Sequence, residues 1–362
     1  MIVPALPPPD PALVDAHAAA HADLTAALHA AAPEVRRVFV HLQRRLTVEA
    51  LAHVQPIEPG DATQALFPPP RAFLTAGQRR RLEGADAAFR HLDSRIAMHR
   101  MGAIPAVLDA TTPLVLHALV EGPAPSGVET NAGLYRATPT SWHAEVNPFA
   151  HPPAGEVAGL AGAAVAMALD APMPAIARAG WLAFTLLCIH PFVDGNGRVA
   201  RALFLATTAD ETPEGIDWGV LECWARARGG YVAALQAGQR CGGYDPLRLD
   251  PSPFMDFAVR TSTEGARTCQ RRLEALAALR DQPSARGLHP AAAAVLLAVA
   301  VDRGAVRDEL AGLGPDGPEL RTVVNELLAE GHLTWAERPA SRRVPGGPVV
   351  QMVPARVHLG DR

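Results

Sequence analysis

The sequence predicts an all-α core followed by a small α+β unit near the C-terminal end. Apolar residues recur at helical spacing through most of the chain up to about residue 280, whereas the β-like runs, 333–337 and 349–353, fall together near the end. The 362 residues are 49% apolar and 19% charged, which supplies a sizeable core and excludes a disordered chain. That length suits two to three units rather than one.

Taken in order, a proline-rich lead precedes residues 11–31, which read as a helix with Leu13, Leu24 and Leu28 on its apolar spacing. Residues 34–54 read as a second helix. Pro56, Pro59-Gly60 and Pro68-Pro69-Pro70 then punctuate the chain and close an N-terminal helical region, 1–68. Residues 75–101 are helical in pattern, with an interruption at Glu83-Gly84, and 113–120 form a short helix ended by Glu121-Gly122. Residues 131–153, with Thr, Pro, Trp and Tyr and little helical period, read as a loop or β-hairpin. Helices resume from 155 to about 280 and complete a central domain, 69–283. Beyond Gly287, helices at 291–301, 306–313 and 318–329 precede the two β-like runs, and three helices with a two-stranded wing is a winged-helix layout for residues 286–362.

Composition excludes several classes of function. Net charge is −4 and the sequence pI is about 6.4, which speaks against a dedicated polyanion binder. All 33 basic residues are arginine, so no Walker-A lysine, Schiff-base lysine or lysine general base exists in this sequence. Cys188, Cys223, Cys241 and Cys269 are scattered, with no Cys-x-x-Cys pair, as expected of a reducing compartment. The start of the sequence lacks the basic and apolar stretches of a signal peptide, and the uncharged run 157–169 is too short to span a bilayer. The expectation is a cytoplasmic protein with no membrane partner.

Chemistry concentrates in residues 190–201, His190-Pro-Phe192-Val-Asp194-Gly195-Asn196-Gly197-Arg198-Val-Ala-Arg201. The apolar run before it should be a buried helix, and Pro191 disfavours helical geometry at His190, so the helix should stop there. Gly195 and Gly197 leave backbone N–H groups unobstructed at the start of the next helix, which makes an anion site suited to phosphate. Arg198 and Arg201, three residues apart, lie on one face and can clamp phosphate oxygens. Asp194 offers a hard oxygen of the kind Mg²⁺ takes alongside substrate phosphates. His190 is the one nearby group able to take a proton near neutral pH. A base, a metal ligand, a phosphate nest and two arginines within one short segment compose a phosphate-transfer site.

This segment resembles the signature of the Fic (filamentation induced by cAMP) family, His-x-Phe-x-Asp/Glu-Gly-Asn-Gly-Arg-x-x-Arg, with every specified position filled. Leu116-His117, Gly133-Leu-Tyr135-Arg136, His151-Pro152-Pro153 and residues 228–235 extend the likeness over roughly 69–280. The resemblance implies a helical core with a β-hairpin flap, and transfer of AMP from ATP to a Ser, Thr or Tyr hydroxyl of a target protein. By position, His190 would deprotonate the hydroxyl and Asp194 would hold Mg²⁺ (or Mn²⁺). Gly195, Asn196 and Gly197 would cradle the α- and β-phosphates, with Arg198 on the β- and Arg201 on the γ-phosphate. Phe192 would anchor the core. Tyr231 and Gln239 would line the base pocket, and Trp142 and His143 would lie in the flap, where substrate backbone pairs as an added strand.

Many members of that family carry an inhibitory Ser/Thr-x-x-x-Glu-Gly/Asn helix whose glutamate pairs with the second arginine. Glu83-Gly84 is the best match by position, although Arg79 stands where Ser or Thr belongs. Glu121-Gly122 is the rival, with His117 at that place but later in the chain. Removal of AMP, or transfer of another nucleotide, would use the same motif. A winged-helix transcriptional regulator with a vestigial nucleotide site is the alternative from another class. Its recognition helix would carry Glu319, Glu326 and Glu330 against Arg321 alone, a poor balance for DNA, so a protein contact or homodimer is expected of that domain. Finally, His17 and His21 have the i, i+4 spacing of a metal pair on a helix but no evident third ligand in the sequence.

Overall fold

The computed structural model describes residues 2–52, 75–122, 131–139, 149–209, 212, 216–281, 287–301, 317–337 and 350–354. Its first helices are α1 (Pro11–Ala30), α2 (Pro33–Ala52), α3 (Ala76–Arg100) and α4 (Thr112–Glu121). Next come α5 (Ala154–Asp170), α6 (Ala175–Ile189), α7 (Asn196–Thr208), α8 (Val220–Arg226) and α9 (Arg228–Gly238). The long α10 (Ser252–Arg280) precedes α11 (Pro290–Val301), α12 (Gly317–Ala329), β1 (Leu333–Glu337) and β2 (Val350–Pro354). The two strands pair antiparallel, with Leu333 opposite Pro354 and Glu337 opposite Val350. The expected short helix at 306–313 and the flap residues Trp142 and His143 lie outside the described residues.

The chain divides into two compact units. One holds the described residues within 1–22, 47–56 and 76–267; the other holds those within 23–46, 57–75 and 268–362. Helices α1, α2 and α10 each contribute residues to both units. In the second unit Phe39, Leu42 and Leu46 of α2 are buried, as are Leu273 and Leu276 of α10. The fully buried Arg272 guanidinium donates to the Gln43 side-chain oxygen, which keeps that charge from standing unsatisfied.

In the first unit α6 is the central element. Every residue of α6 except Arg178 is buried, Trp181 and Phe184 fully so. A helix that is apolar all round must be enclosed on all sides. Each such large side chain contributes about 1.5–3 kcal/mol by leaving water. Helix α7 packs against α6 and buries Val199, Leu203 and Phe204. The turn between the two helices is therefore fixed at both ends by core.

Glu83-Gly84 does not interrupt α3, which is continuous from Ala76 to Arg100. Gly84 is there because α4 comes so close: a Cβ at that position would stand 2.7 Å from the carbonyl oxygens of both Leu119 and Val120. Those obstacles are backbone atoms, which cannot swing aside. Gly84→Ala should therefore lower the melting temperature, although alanine gains about 1 kcal/mol of helix propensity over glycine. An unchanged or raised melting temperature would contradict the close packing of α3 on α4.

Candidate active site

Helix α6 stops at Ile189, and His190 takes the left-handed conformation with φ 52° and ψ 62°, the one positive-φ residue other than glycine among those described. Such a conformation costs about 1–3 kcal/mol in a residue with a Cβ and persists only where the surroundings enforce it. Arg136 enforces it. Its Nε donates to the His190 carbonyl at 2.8 Å, and its Nη2 donates to Ile189 at 3.3 Å and to Pro152 at 2.5 Å. The Arg136 backbone N–H donates to the Pro191 carbonyl at 2.9 Å. Cys188 offers its carbonyl to His151 Nδ1 at 2.9 Å. The last carbonyls of α6, orphaned by the helix end, are thus met by one cation and one imidazole.

The His190 ring stacks on His151, with centroids 4.4 Å apart, and hydrogen-bonds to the Leu187 backbone. Burial, and then the neighbouring His151, push its pKa down to about 3. At neutral pH His190 is an uncharged imidazole with lone-pair capacity, the form a proton acceptor needs.

Phe192 is fully buried beneath this turn, between the rings of His117 at 3.9 Å and Tyr135 at 5.5 Å. Asn196 spends its side chain on the same loop: Nδ2 donates to the Phe192 carbonyl at 2.8 Å, and Oδ1 accepts from the Phe192 N–H at 2.9 Å. Any contribution of Asn196 to an anion therefore comes from its backbone. Gly195 has φ 79° and precedes the first turn of α7, where backbone N–H groups lack intrahelical partners.

Asp194 stands at the mouth of this loop with its side chain 70% exposed. One carboxylate oxygen accepts from the Gly195 N–H at 2.6 Å, the other from Arg198 Nη2 at 3.2 Å. A single exposed carboxylate beside an anion nest fits a magnesium ion that shares its shell with phosphates and water.

The two arginines serve different neighbours. Arg198 turns to α4: Nη1 donates to the Val120 carbonyl at 2.6 Å, and Nη2 donates to Glu121 Oε1 at 2.8 Å. Arg201 turns to α2, where Nη2 donates to the Leu51 carbonyl at 3.0 Å. Arg201 Nε has no partner, and among the described residues its guanidinium meets no carboxylate. Burial, helped by Arg198 and Arg228, lowers its pKa to about 10, so it stays cationic at neutral pH. Arg201, Arg228 and Tyr231 line a cavity with Ala50 and Trp224. Gln239 lies elsewhere, with Nε2 on Cys188 Sγ at 3.5 Å behind the end of α6.

Glu83 is exposed and makes no ion pair among the described residues; only Gly84 beside it is buried. The glutamate that reaches an arginine of the motif is Glu121, and it reaches the first one, Arg198, not the second. Its carboxylate also covers the nest: a Cβ on Gly195 would stand 2.7 Å from Glu121 Oε1. Sequence reasoning gave Arg136, His117 and His151 no role beyond likeness. His117 is buried, accepts the Gly133 N–H on Nδ1 at 3.0 Å and is held down to about pKa 4, first by burial. Their partners lie far along the chain, so no local spacing marks them.

With this geometry established, residues 112–207 are found to match the sequence model of the Fic/DOC family. That stretch is about a quarter of the chain and includes the whole 190–201 motif. Across the whole chain the fold is similar to a Fic family protein from Desulfovibrio desulfuricans G20 at 18% identity, TM-score 0.54, covering 98% of this chain and 100% of that one. It is also similar to a Fic domain containing signaling protein from Bacteroides thetaiotaomicron VPI-5482 at 15% identity, TM-score 0.51, covering 72% of this chain and 98% of that one. No curated protein matches the sequence. Among the described residues, no helix is long and apolar enough to cross a membrane.

Residues 112–207 hold a buried imidazole, His117, and a half-buried one, His190, and this has a consequence in acid. Loss of solvent, first of all, holds the pKa of His190 down to about 3 and that of His117 to about 4 in the fold, below the ordinary histidine value of 6.5. The unfolded chain therefore binds more protons over that range, and stability must fall as pH drops from about 6.5 towards 3. Urea midpoints measured from about pH 7 downward should show that slope, and His117→Gln should flatten it. A midpoint independent of pH would contradict the buried neutral state.

Proposed function

We propose that this chain transfers AMP from ATP to a Ser, Thr or Tyr hydroxyl of a target protein. One observation carries the reading: the corner before α7 already holds an anionic oxygen, the Glu121 carboxylate, on Arg198 and over Gly195. A phosphate oxygen asks for the same donors. Helix α7 offers its first N–H groups there, and Arg201 adds a buried cation with no carboxylate among the described residues. The motif and the Fic fold support the choice of a nucleotide donor.

In this reading His190 accepts the hydroxyl proton as that oxygen attacks the α-phosphorus of ATP. The new P–O bond forms as the bond to the bridging oxygen breaks, and pyrophosphate leaves. Arg198 holds the β-phosphate and Arg201 the γ-phosphate, and Tyr231 borders the base in the cavity it shares with Arg201. Asp194 would hold Mg²⁺ (or Mn²⁺), which when bound neutralises triphosphate charge. The C-terminal part, residues 286–362, is read as a winged helix that serves protein contact or a homodimer. The exposed Glu326 on α12 and Glu330 just after it disfavour DNA as its partner.

Label from α-labelled ATP should appear on protein, and label from γ-labelled ATP should not. His190→Ala should abolish the label while ATP binding persists. Transfer of the γ-label would overturn the nucleotidyl assignment.

Glu121, and not Glu83, is proposed as the inhibitory glutamate, because it occupies the donors that the β-phosphate needs. Glu121→Ala should strengthen ATP binding and raise labelling by roughly 5- to 30-fold, the equivalent of about 1–2 kcal/mol for one charge-assisted contact. Glu83→Ala should change neither. Titration of both variants with ATP by calorimetry checks this, and equal affinities would remove Glu121 from the role.

A further inference from the structure

The residues that the nucleotide site leaves unused include a second constellation in the same compact unit. His17 and His21 sit one turn apart on α1, and the fold brings Asp217, just before α8, against them. One donor atom of each lies within 4.8 Å of the donors of the other two. The third ligand that α1 lacks in sequence thus arrives from a residue nearly two hundred positions away. Ser262 of α10 completes the arrangement: its hydroxyl donates to Asp217 Oδ2 at 2.6 Å and lies 3.1 Å from His21 Nε2.

Two buried atoms in this group are left without a hydrogen bond. His17 Nε2 and Asp217 Oδ1 have no hydrogen-bond partner among the described residues, and the two residues are only 9% and 1% exposed. Each unsatisfied buried polar atom costs about 1–3 kcal/mol. His21 Nε2 approaches Asp217 Oδ1 at 3.5 Å, too far for a hydrogen bond.

We infer that His17, His21 and Asp217 form a metal site that takes a divalent transition ion, with zinc the ion of choice. An ion bound there accepts the orphaned lone pairs of His17 and Asp217 together. Two imidazoles and one carboxylate are a zinc donor set that leaves one position for water, whereas Mg²⁺ and Ca²⁺ demand oxygen. Ser262 orients the carboxylate from behind. The ion ties α1 to the loop before α8, where Trp218 stacks on Phe89 of α3 at 6.1 Å. The site is separate from Asp194 and does not depend on the proposed nucleotide chemistry.

The test is metal binding by the full chain, stripped with chelator and then titrated with Zn²⁺ against a chromophoric competitor. One equivalent should bind and raise the melting temperature. Co²⁺ in its place should give the intense visible bands of a four-coordinate site. Asp194→Ala should keep this behaviour, whereas His17→Gln and Asp217→Asn should lose the Zn²⁺-dependent rise, and Ser262→Ala should weaken binding about 10- to 100-fold. The wild-type Co²⁺ spectrum stands even if a variant fails to fold. The inference is overturned if wild type shows no such bands, if Mg²⁺ competes equally with Zn²⁺, or if folded His17→Gln binds Zn²⁺ as well as wild type.

Discussion

The corner between α6 and α7 depends on Arg136. A buried apolar helix cannot end in the interior unless its last carbonyls find donors, and water is not available there. One guanidinium meets the carbonyls of Ile189, His190 and Pro152, while its own backbone N–H meets Pro191. That set of bonds offsets the left-handed turn at His190 and allows the chain to reverse into α7 within a few residues. Without it the imidazole, Asp194 and the first N–H groups of α7 would not be held at one place.

The electrostatics follow from that placement. His190 and His151 share a half-buried stack in which loss of solvent, first of all, lowers both pKa values; Arg136 lies beside them, and the other charges of the site are at the start of α7. There Arg198 is balanced by Glu121 and Asp194, while Arg201 has no carboxylate among the described residues. An uncompensated buried cation is costly unless an anion visits it. The asymmetry between the two arginines suits a ligand that carries several negative charges and displaces one carboxylate on arrival.

Much of the helical fold was legible in local pattern. Period-3.6 apolar spacing places α1, α2, α11 and α12 within one or two residues of where they stand, and alternation finds β1 at 333–337. The motif 190–201 is equally local, since its helix stop, glycines and arginines are neighbours in sequence. What failed was anything set by contact between distant segments. Gly84 reads as a break but is a point of close approach to α4. Glu83 reads as the better inhibitory candidate because it comes earlier, yet it faces solvent, whereas Glu121 meets Arg198 across 77 positions. Arg136 and His190, 54 apart, and the pairing of Asp217 with the α1 histidines were hidden for the same reason.

The central claim is that the corner before α7 is built to hold a polyphosphate. Its most direct test is the affinity of His190→Ala, which should not turn over, for ATP, ADP, AMP and adenosine in turn, by calorimetry. The account predicts that affinity falls with each phosphate removed, and that Arg198→Ala removes most of the gap between ADP and AMP. Adenosine binding as tightly as ATP would contradict it.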